Sequence, residues 1–192
     1  MTHPETQPEL VVAGSSDAEL INSLLDEYLI ELSSYRGVPS DATTSASYPY
    51  LDAYWSDPGR YAFIIQHGGH PVGFVLIRDP TSTKSAVYQL AEFYIKPESR
   101  RLGIGRRAVY AIWKRFPGQW ELQVHTQNSA AVQFWESCLE TVTSELPQGR
   151  KVQGRNGRRI QFHFSVEDTV SQSMEGRIRP ANLTLHRVYV FS

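Results

Sequence analysis

The chain has 192 residues, 19 basic against 20 acidic side chains, and a formal net charge of −1. That length fits one domain with a substantial core, and the balanced charge gives no global attraction to nucleic acid or to an anionic membrane surface. A lone cysteine, Cys138, excludes an intramolecular disulfide and fits a reducing cytosol.

The opening MTHPETQPEL is polar and acidic and lacks the apolar stretch of a signal peptide, and residues 1–9 read as a disordered tail. No run of residues reaches the length of a transmembrane helix. Leu10 to Ala13 reads as a short strand. Ser16 followed by Glu19 forms a capping-box pattern. Leu20, Ile21, Leu24, Leu25, Tyr28, Leu29 and Leu32 then recur at helical spacing. Ser33 to Ser47, rich in Ser, Thr, Gly and Pro, reads as a loop. Tyr48 to Trp55 is an aromatic cluster on a short helix, suited either to lining a site or to capping the core. Tyr61–Gln66 and Val72–Ile77 flank Gly68-Gly69 and predict a hairpin. His67 and His70 beside that turn read as solvated, and no Cys/His cluster has zinc spacing, so no metal is expected.

The segment Val87 to Phe116 carries the strongest pattern. An apolar strand, Val87–Ile95, is closed by Pro97, which cannot donate to a sheet ladder. A helix starts near Ile104, with Ile104, Ala108, Ala111 and Ile112 on one face. Between them, Gly103 and Gly105 permit positive φ and leave backbone amides uncovered. Arg100, Arg101, Arg106 and Arg107 crowd a helix start that already carries about half a positive charge. An anion would resolve that conflict, and the arrangement describes a phosphate cradle. Glu92 is the only acidic residue inside the strand. It is either a base whose pKa burial raises, or a carboxylate facing solvent or an arginine.

Phe116-Pro117-Gly118 ends the helix. Trp120, Leu122 and Val124 alternate with Glu121, Gln123 and His125 in a two-faced strand. Asn128 or Ser129 caps a further helix whose apolar face is Ala131, Phe134, Trp135 and Cys138. Cys138 reads as a small buried hydrophobe. Thr141–Leu146 and Arg159–Phe164 read as late strands joined by a loop that turns at Asn156-Gly157. The basic residues 150–159 read as a solvated hairpin tip without stacking aromatics. In residues 167–192, Arg187–Phe191 reads as one added strand.

Arg100-x-x-Gly103-x-Gly105, following a strand and a proline turn, resembles the acyl-CoA pyrophosphate motif of the GNAT family of N-acetyltransferases. Leu122-x-Val124 and Asn128-x-x-Ala131-x-x-Phe134-Trp135 are similar to that family's second cofactor-side strand and helix. The resemblance spans residues 10–166 and implies an α/β fold: a mixed, mostly antiparallel sheet that splays after the central strand, with helices on both faces. It implies an acyl-CoA-dependent N-acyltransferase, with acetyl-CoA as the expected donor and direct transfer to an amine in a ternary complex. Carried onto this chain, Glu92 is the base. Phe93, Tyr94, Ile95, Arg100, Arg101, Leu102, Gly103, Ile104, Gly105, Arg106, Asn128 and Trp135 contact the cofactor, and Tyr50, Tyr54 and Trp55 line the acceptor side. Where many members place a thiolate-protonating tyrosine, this chain has Trp135, which leaves that proton to water or to another tyrosine such as Tyr94. The Gly-Phe that usually follows is replaced by Leu139-Glu140. The alternatives are a non-catalytic acyl-CoA-binding module and a nucleic-acid binder using residues 150–159. The main reading implies a cytoplasmic monomer or homodimer with no nucleic-acid or membrane partner. The acceptor stays open.

Overall fold

The computed structural model describes residues 7–35, 43–81, 86–143, 147–154 and 157–167. Strand β1 (Glu9–Val12) leads through a short turn into helix α1 (Ala18–Ser33). The expected Ser16–Glu19 capping box is displaced. The Gly14 N–H donates to the Asp17 carboxylate (2.9 Å) and the Asp17 N–H to the Gly14 carbonyl (2.9 Å). Residues Ser15–Asp17 coil more tightly than an α-helix, so the reciprocal pair closes one turn early. α1 buries Ile21, Leu24, Leu25 and Leu29, and a short helix α2 (Ala53–Ser56) follows within the aromatic cluster.

Strands β2 (Arg60–His67) and β3 (His70–Arg78) form the expected hairpin. Gly68 and Gly69 have φ of 59° and 79°, the pair of positive values that a tight hairpin turn demands. Strand β4 (Tyr88–Ile95) precedes helix α3 (Ile104–Arg115), strand β5 (Gly118–His125) and helix α4 (Ser129–Val142). Strands β6 (Arg150–Gly154) and β7 (Gly157–Val166) complete a seven-stranded sheet of order β1-β2-β3-β4-β5-β7-β6. Every pairing is antiparallel except β4 with β5.

Both faces of the sheet are covered, so Val72 to Ile77 are buried without alternation. Phe63, Val75, Ile77, Trp120, Leu122 and Phe162 pack with α3 and α4. Ala62, Ile64, Phe74, Leu76 and Tyr94 pack with α1 and α2. Among the described residues, no helix is long and apolar enough to cross a membrane.

Two late expectations need correction. Thr141–Val142 belong to α4 rather than to a strand. The Thr141 and Thr143 hydroxyls donate to the Ser137 (3.3 Å) and Leu139 (2.8 Å) carbonyls and hold the helix end. The segment expected to be a loop contains β6, an edge strand paired only with β7. Its charges obscure it in the sequence, although charge is how natural sheets protect an edge. Residues 144–146 and the strand expected at Arg187–Phe191 lie outside the described residues.

Gly73 of β3 leaves no room for a side chain against β4. A Cβ there would stand 2.1 Å from the Tyr94 carbonyl oxygen and 3.0 Å from Ile95 Cδ1. Gly73→Ala is expected to destabilise the fold by about 2–3 kcal/mol. The check is a urea midpoint shift at unchanged m-value.

Candidate active site at the split of the sheet

β4 and β5 pair at Tyr88–Trp120, Gln89–Glu121 and Leu90–Leu122, and no further. Beyond that point β5 continues with β7 alone, and Glu92–Ile95 keep only their β3 neighbour. A bulge coincides with the split. Leu76 faces Glu92 and Ile77 faces Leu90, so Ala91 is the extra residue. Such an insertion re-aims the following side chain. Here it sets Glu92 on the α1 face of the sheet.

Tyr48 Oη donates to Glu92 Oε1 at 3.0 Å, and Tyr28 supplies a second hydrogen bond to the same carboxyl. Burial pushes the Glu92 carboxyl above the usual carboxylate range. The two tyrosine hydrogen bonds and the Arg159 and Arg78 charges offset part of that rise. Burial and the neighbouring Glu92 charge raise Tyr28 and Tyr48 in turn, and push Tyr54 up to about 12. The three phenols therefore stay protonated and able to donate.

At the C-terminal end of β4, Arg101 (φ 65°) and Gly103 (φ 73°) bend the chain into α3. The first intrahelical bond runs from the Arg107 N–H to the Gly103 carbonyl (3.1 Å), so the amides of Ile104, Gly105 and Arg106 precede the helical ladder. Gly105 lies against Phe134 and Ile95, where an added Cβ would meet them at 3.4 and 3.5 Å. Arg101 and Leu102 are exposed. Arg106 Nη2 donates to Ser137 Oγ (2.6 Å) and Arg107 Nη2 to the Leu102 carbonyl (2.8 Å). Arg100 turns away from this group. Its Nε donates to the Ile95 carbonyl (2.8 Å), and its two terminal nitrogens bond Glu31 of α1 at 3.2 and 2.5 Å.

The other expected residues are distributed unevenly. Phe93 stacks on Phe134 (5.8 Å) and meets Trp135 edge-on (5.3 Å) on the α3/α4 face. Trp135 is buried in that core. Tyr94 lies on the opposite face, its hydroxyl donating to Glu27 Oε2 at 3.2 Å. Asn128 Oδ1 accepts from the Ala131 N–H (3.0 Å) and so caps α4. Burial pushes the Cys138 thiol up to about 12, which fits a packing role. Tyr54 is buried near Glu92 and Trp55 is half-buried, whereas Tyr50 is 73% exposed. The Arg60 guanidinium lies 5.8 Å from the Tyr50 ring and 5.4 Å from that of Tyr54.

Four neighbours of Glu92 are not marked as site residues by the sequence: Tyr28, Tyr48, Arg78 and Arg159. Tyr28 is hidden in the leucine stripe of α1. Arg159 falls within a stretch that reads as a solvated loop, but it is half-buried and its charge reaches Glu92 and Tyr28. Its position out of phase with Ile160, Phe162 and Phe164 is the available signal. Among the described residues, no group of three or more His, Cys, Asp or Glu is placed to hold a metal ion.

Residues 21–139 match the family model described as "Acetyltransferase (GNAT) family". The chain belongs to the GNAT acetyltransferase family. Its fold is similar to that of an acetyltransferase from Thermus thermophilus, at 16% identity and TM-score 0.62, covering 85% of this chain and 100% of that one. The spermidine N-acetyltransferase from Vibrio cholerae, solved in complex with CoA and spermine, gives 15% identity and TM-score 0.58 over 83% of this chain and 96% of that one. AAC(6')-Ib in complex with ribostamycin and coenzyme A gives 16% and 0.61 over 92% and 99%. No curated protein sequence matches the chain significantly.

A raised Glu92 pKa means that the fold favours the protonated carboxyl. Its stabilising contribution is present in full below the ordinary carboxylate value of 4.5 and is lost as pH rises through the elevated one. Glu92→Gln, neutral at every pH, should therefore gain stability relative to the wild type at neutral pH. That gain should shrink on acidification, as read from paired denaturant midpoints. A difference that does not change with pH would contradict the assigned environment.

Proposed function

We propose that the protein is an acyl-CoA-dependent N-acyltransferase that uses acetyl-CoA and transfers the acyl group directly to an amine in a ternary complex. Residues 10–166 would form the catalytic domain, in a cytosolic setting. The observation that carries this reading is the position of Glu92: a half-buried, desolvated carboxyl that follows a bulge, at the point where the sheet opens. Solved neighbours with CoA and an amine ligand support the same class of reaction.

Acetyl-CoA supplies an activated thioester when bound. The opened edge of β4 at Phe93–Ile95, apart from the Ile95 carbonyl that Arg100 occupies, offers backbone groups to an extended ligand arm and to the acyl carbonyl. Preorganised amides of this kind are worth about 10²–10³ in rate. The amides from Leu102 to Arg106, with the Arg101 and Arg106 side chains, suit a pyrophosphate. Asn128 can cap α4 through Oδ1 and present its amide nitrogen to the same ligand. Glu92 accepts the amine proton, directly or through water, and the Tyr28 and Tyr48 hydroxyls hold the carboxyl in place. Arg100 acts as a strut between α1 and β4. Trp135 supports the fold through packing, since an indole N–H is not a practical acid.

Glu92→Gln should keep CoA affinity and lower kcat/KM by about 10²–10⁴. The acidic limb that Glu92 contributes to the pH–rate profile should disappear. A normal rate with an unaltered limb would place the base elsewhere.

The cradle has its own test. Gly103→Asp should weaken CoA binding at least about tenfold, because it sets a negative charge beside the pyrophosphate. Asn also tolerates positive φ, so Gly103→Asn separates charge from strain and should lose much less. Equal calorimetric affinities for Asp, Asn and Gly at this position would remove the cradle.

A further inference from the structure

On the acceptor side of the split two guanidinium groups, those of Arg78 and Arg159, act on the one carboxyl of Glu92. Arg78 ends β3 on the face shared with Leu76 and Glu92, about 7 Å along the strand from Leu76. It is paired in register with Arg60 of β2, a like-charge pair directly opposite, which is unfavourable unless something compensates. Arg60 has a partner in Asp57, at 3.1 Å. Among the described residues Arg78 enters no ion pair, and its buried Nε has no hydrogen-bond partner. Arg159 stands across the split, paired in register with His125 at the end of β5. Its charge and that of Arg78 both act on Glu92.

Two explanations compete. The arginines could serve only as counter-charges to Glu92, yet burial outweighs them and leaves the carboxyl above its ordinary range. A polyamine acceptor would bring further positive charge toward the Arg78 and Arg159 guanidinium groups. An anionic group meets both arginines favourably, and a guanidinium fork matches a carboxylate in shape as well as charge.

We propose that the acceptor is an amine that also carries a carboxylate, with its amine at Glu92 and its carboxylate held by Arg78, and with Arg159 on the opposite wall. This rests on the acyl-transfer reading above and narrows it. The acyl C–S bond breaks and a C–N bond forms. One amine proton passes to Glu92, the thiolate takes up one proton, and the acceptor carboxylate is unchanged.

The test uses acceptors that share one reacting amine and differ at the far end: 5-aminopentanoate, 5-aminopentanamide and 1,5-diaminopentane, with leucine and leucinamide as an α-amino pair. Thiol release from acetyl-CoA is measured for the full chain, Arg78→Gln and Arg78→Lys, with thermal melting to confirm folding. The carboxylate member of at least one set should give the highest kcat/KM. Arg78→Gln should raise its KM by about 10–100-fold, leave the amide's KM nearly unchanged, and be partly rescued by Arg78→Lys. Preference for the amide or the diamine would overturn the proposal and leave acyl transfer standing. An equal loss on every acceptor would also overturn it, because Arg78 would then act only on Glu92. No thiol release with any acceptor, from protein that binds acetyl-CoA, would overturn the acyl-transfer reading and the proposal with it.

Discussion

Parallel pairing between β4 and β5 lasts for three residue pairs, and the strands then part. At the paired end, Tyr88 stacks on Trp120 (5.0 Å), and Phe116 and Phe164 close around them. At the open end, Phe93 is drawn toward Phe134 and Trp135 of α4. The bulge at Ala91 adds local twist between these two anchors. Backbone groups left unpaired in a half-buried edge cost about 1–3 kcal/mol each when they lack a partner. The split thus leaves an inner sheet edge that β5 does not pair.

The bulge also sets the energetics of Glu92. Without the extra residue, strand alternation would turn position 92 toward the core of α3 and α4. With it, the carboxyl meets two phenols and comes within electrostatic reach of two guanidinium groups. Desolvation still dominates, so the group is held at some expense to folding stability. Such local costs are common at functional sites. They also make the carboxyl a better proton acceptor than an exposed one, since its pKa lies closer to neutrality.

The sequence carries the elements that local chemistry dictates: the Gly68-Gly69 hairpin, the apolar β4, the glycine turn into α3 and the Asn128 cap. Glu92 is visible there because a lone acidic residue in an apolar strand is anomalous on any register. Its partners are not visible. Tyr28 satisfies the helical stripe of α1 as well as a leucine would, and Tyr48 lies among aromatics with no mark to separate it from Tyr50. Tyr50 has φ of 65° and is exposed, whereas Tyr48 reaches Glu92. Arg159 becomes a site residue only because β7 lies beside β5, which lines the split from its far side. That neighbour relation is non-local, and no spacing along the chain encodes it.

The four arginines around the glycine turn show how a non-local partner changes the electrostatic argument. Taken alone, Arg100, Arg101, Arg106 and Arg107 repel one another and oppose the helix dipole. In the fold, α1 answers part of that charge. Glu31 takes Arg100 in a bidentate pair, and Glu27 bridges to Lys96 (3.2 Å) and to the Tyr94 hydroxyl (3.2 Å). These links fasten α1 to the end of β4, while the Arg100 bond to the Ile95 carbonyl fixes the start of the turn. Each exposed pair is worth little by itself, but together they set one edge of the acceptor side against the origin of α3. The cations that remain at the helix start, led by the exposed Arg101, are fewer than the sequence suggests. The same acidic helix that relieves the turn also carries Tyr28 to Glu92, so α1 sets the charge of one half of the site and the hydrogen bonding of the other.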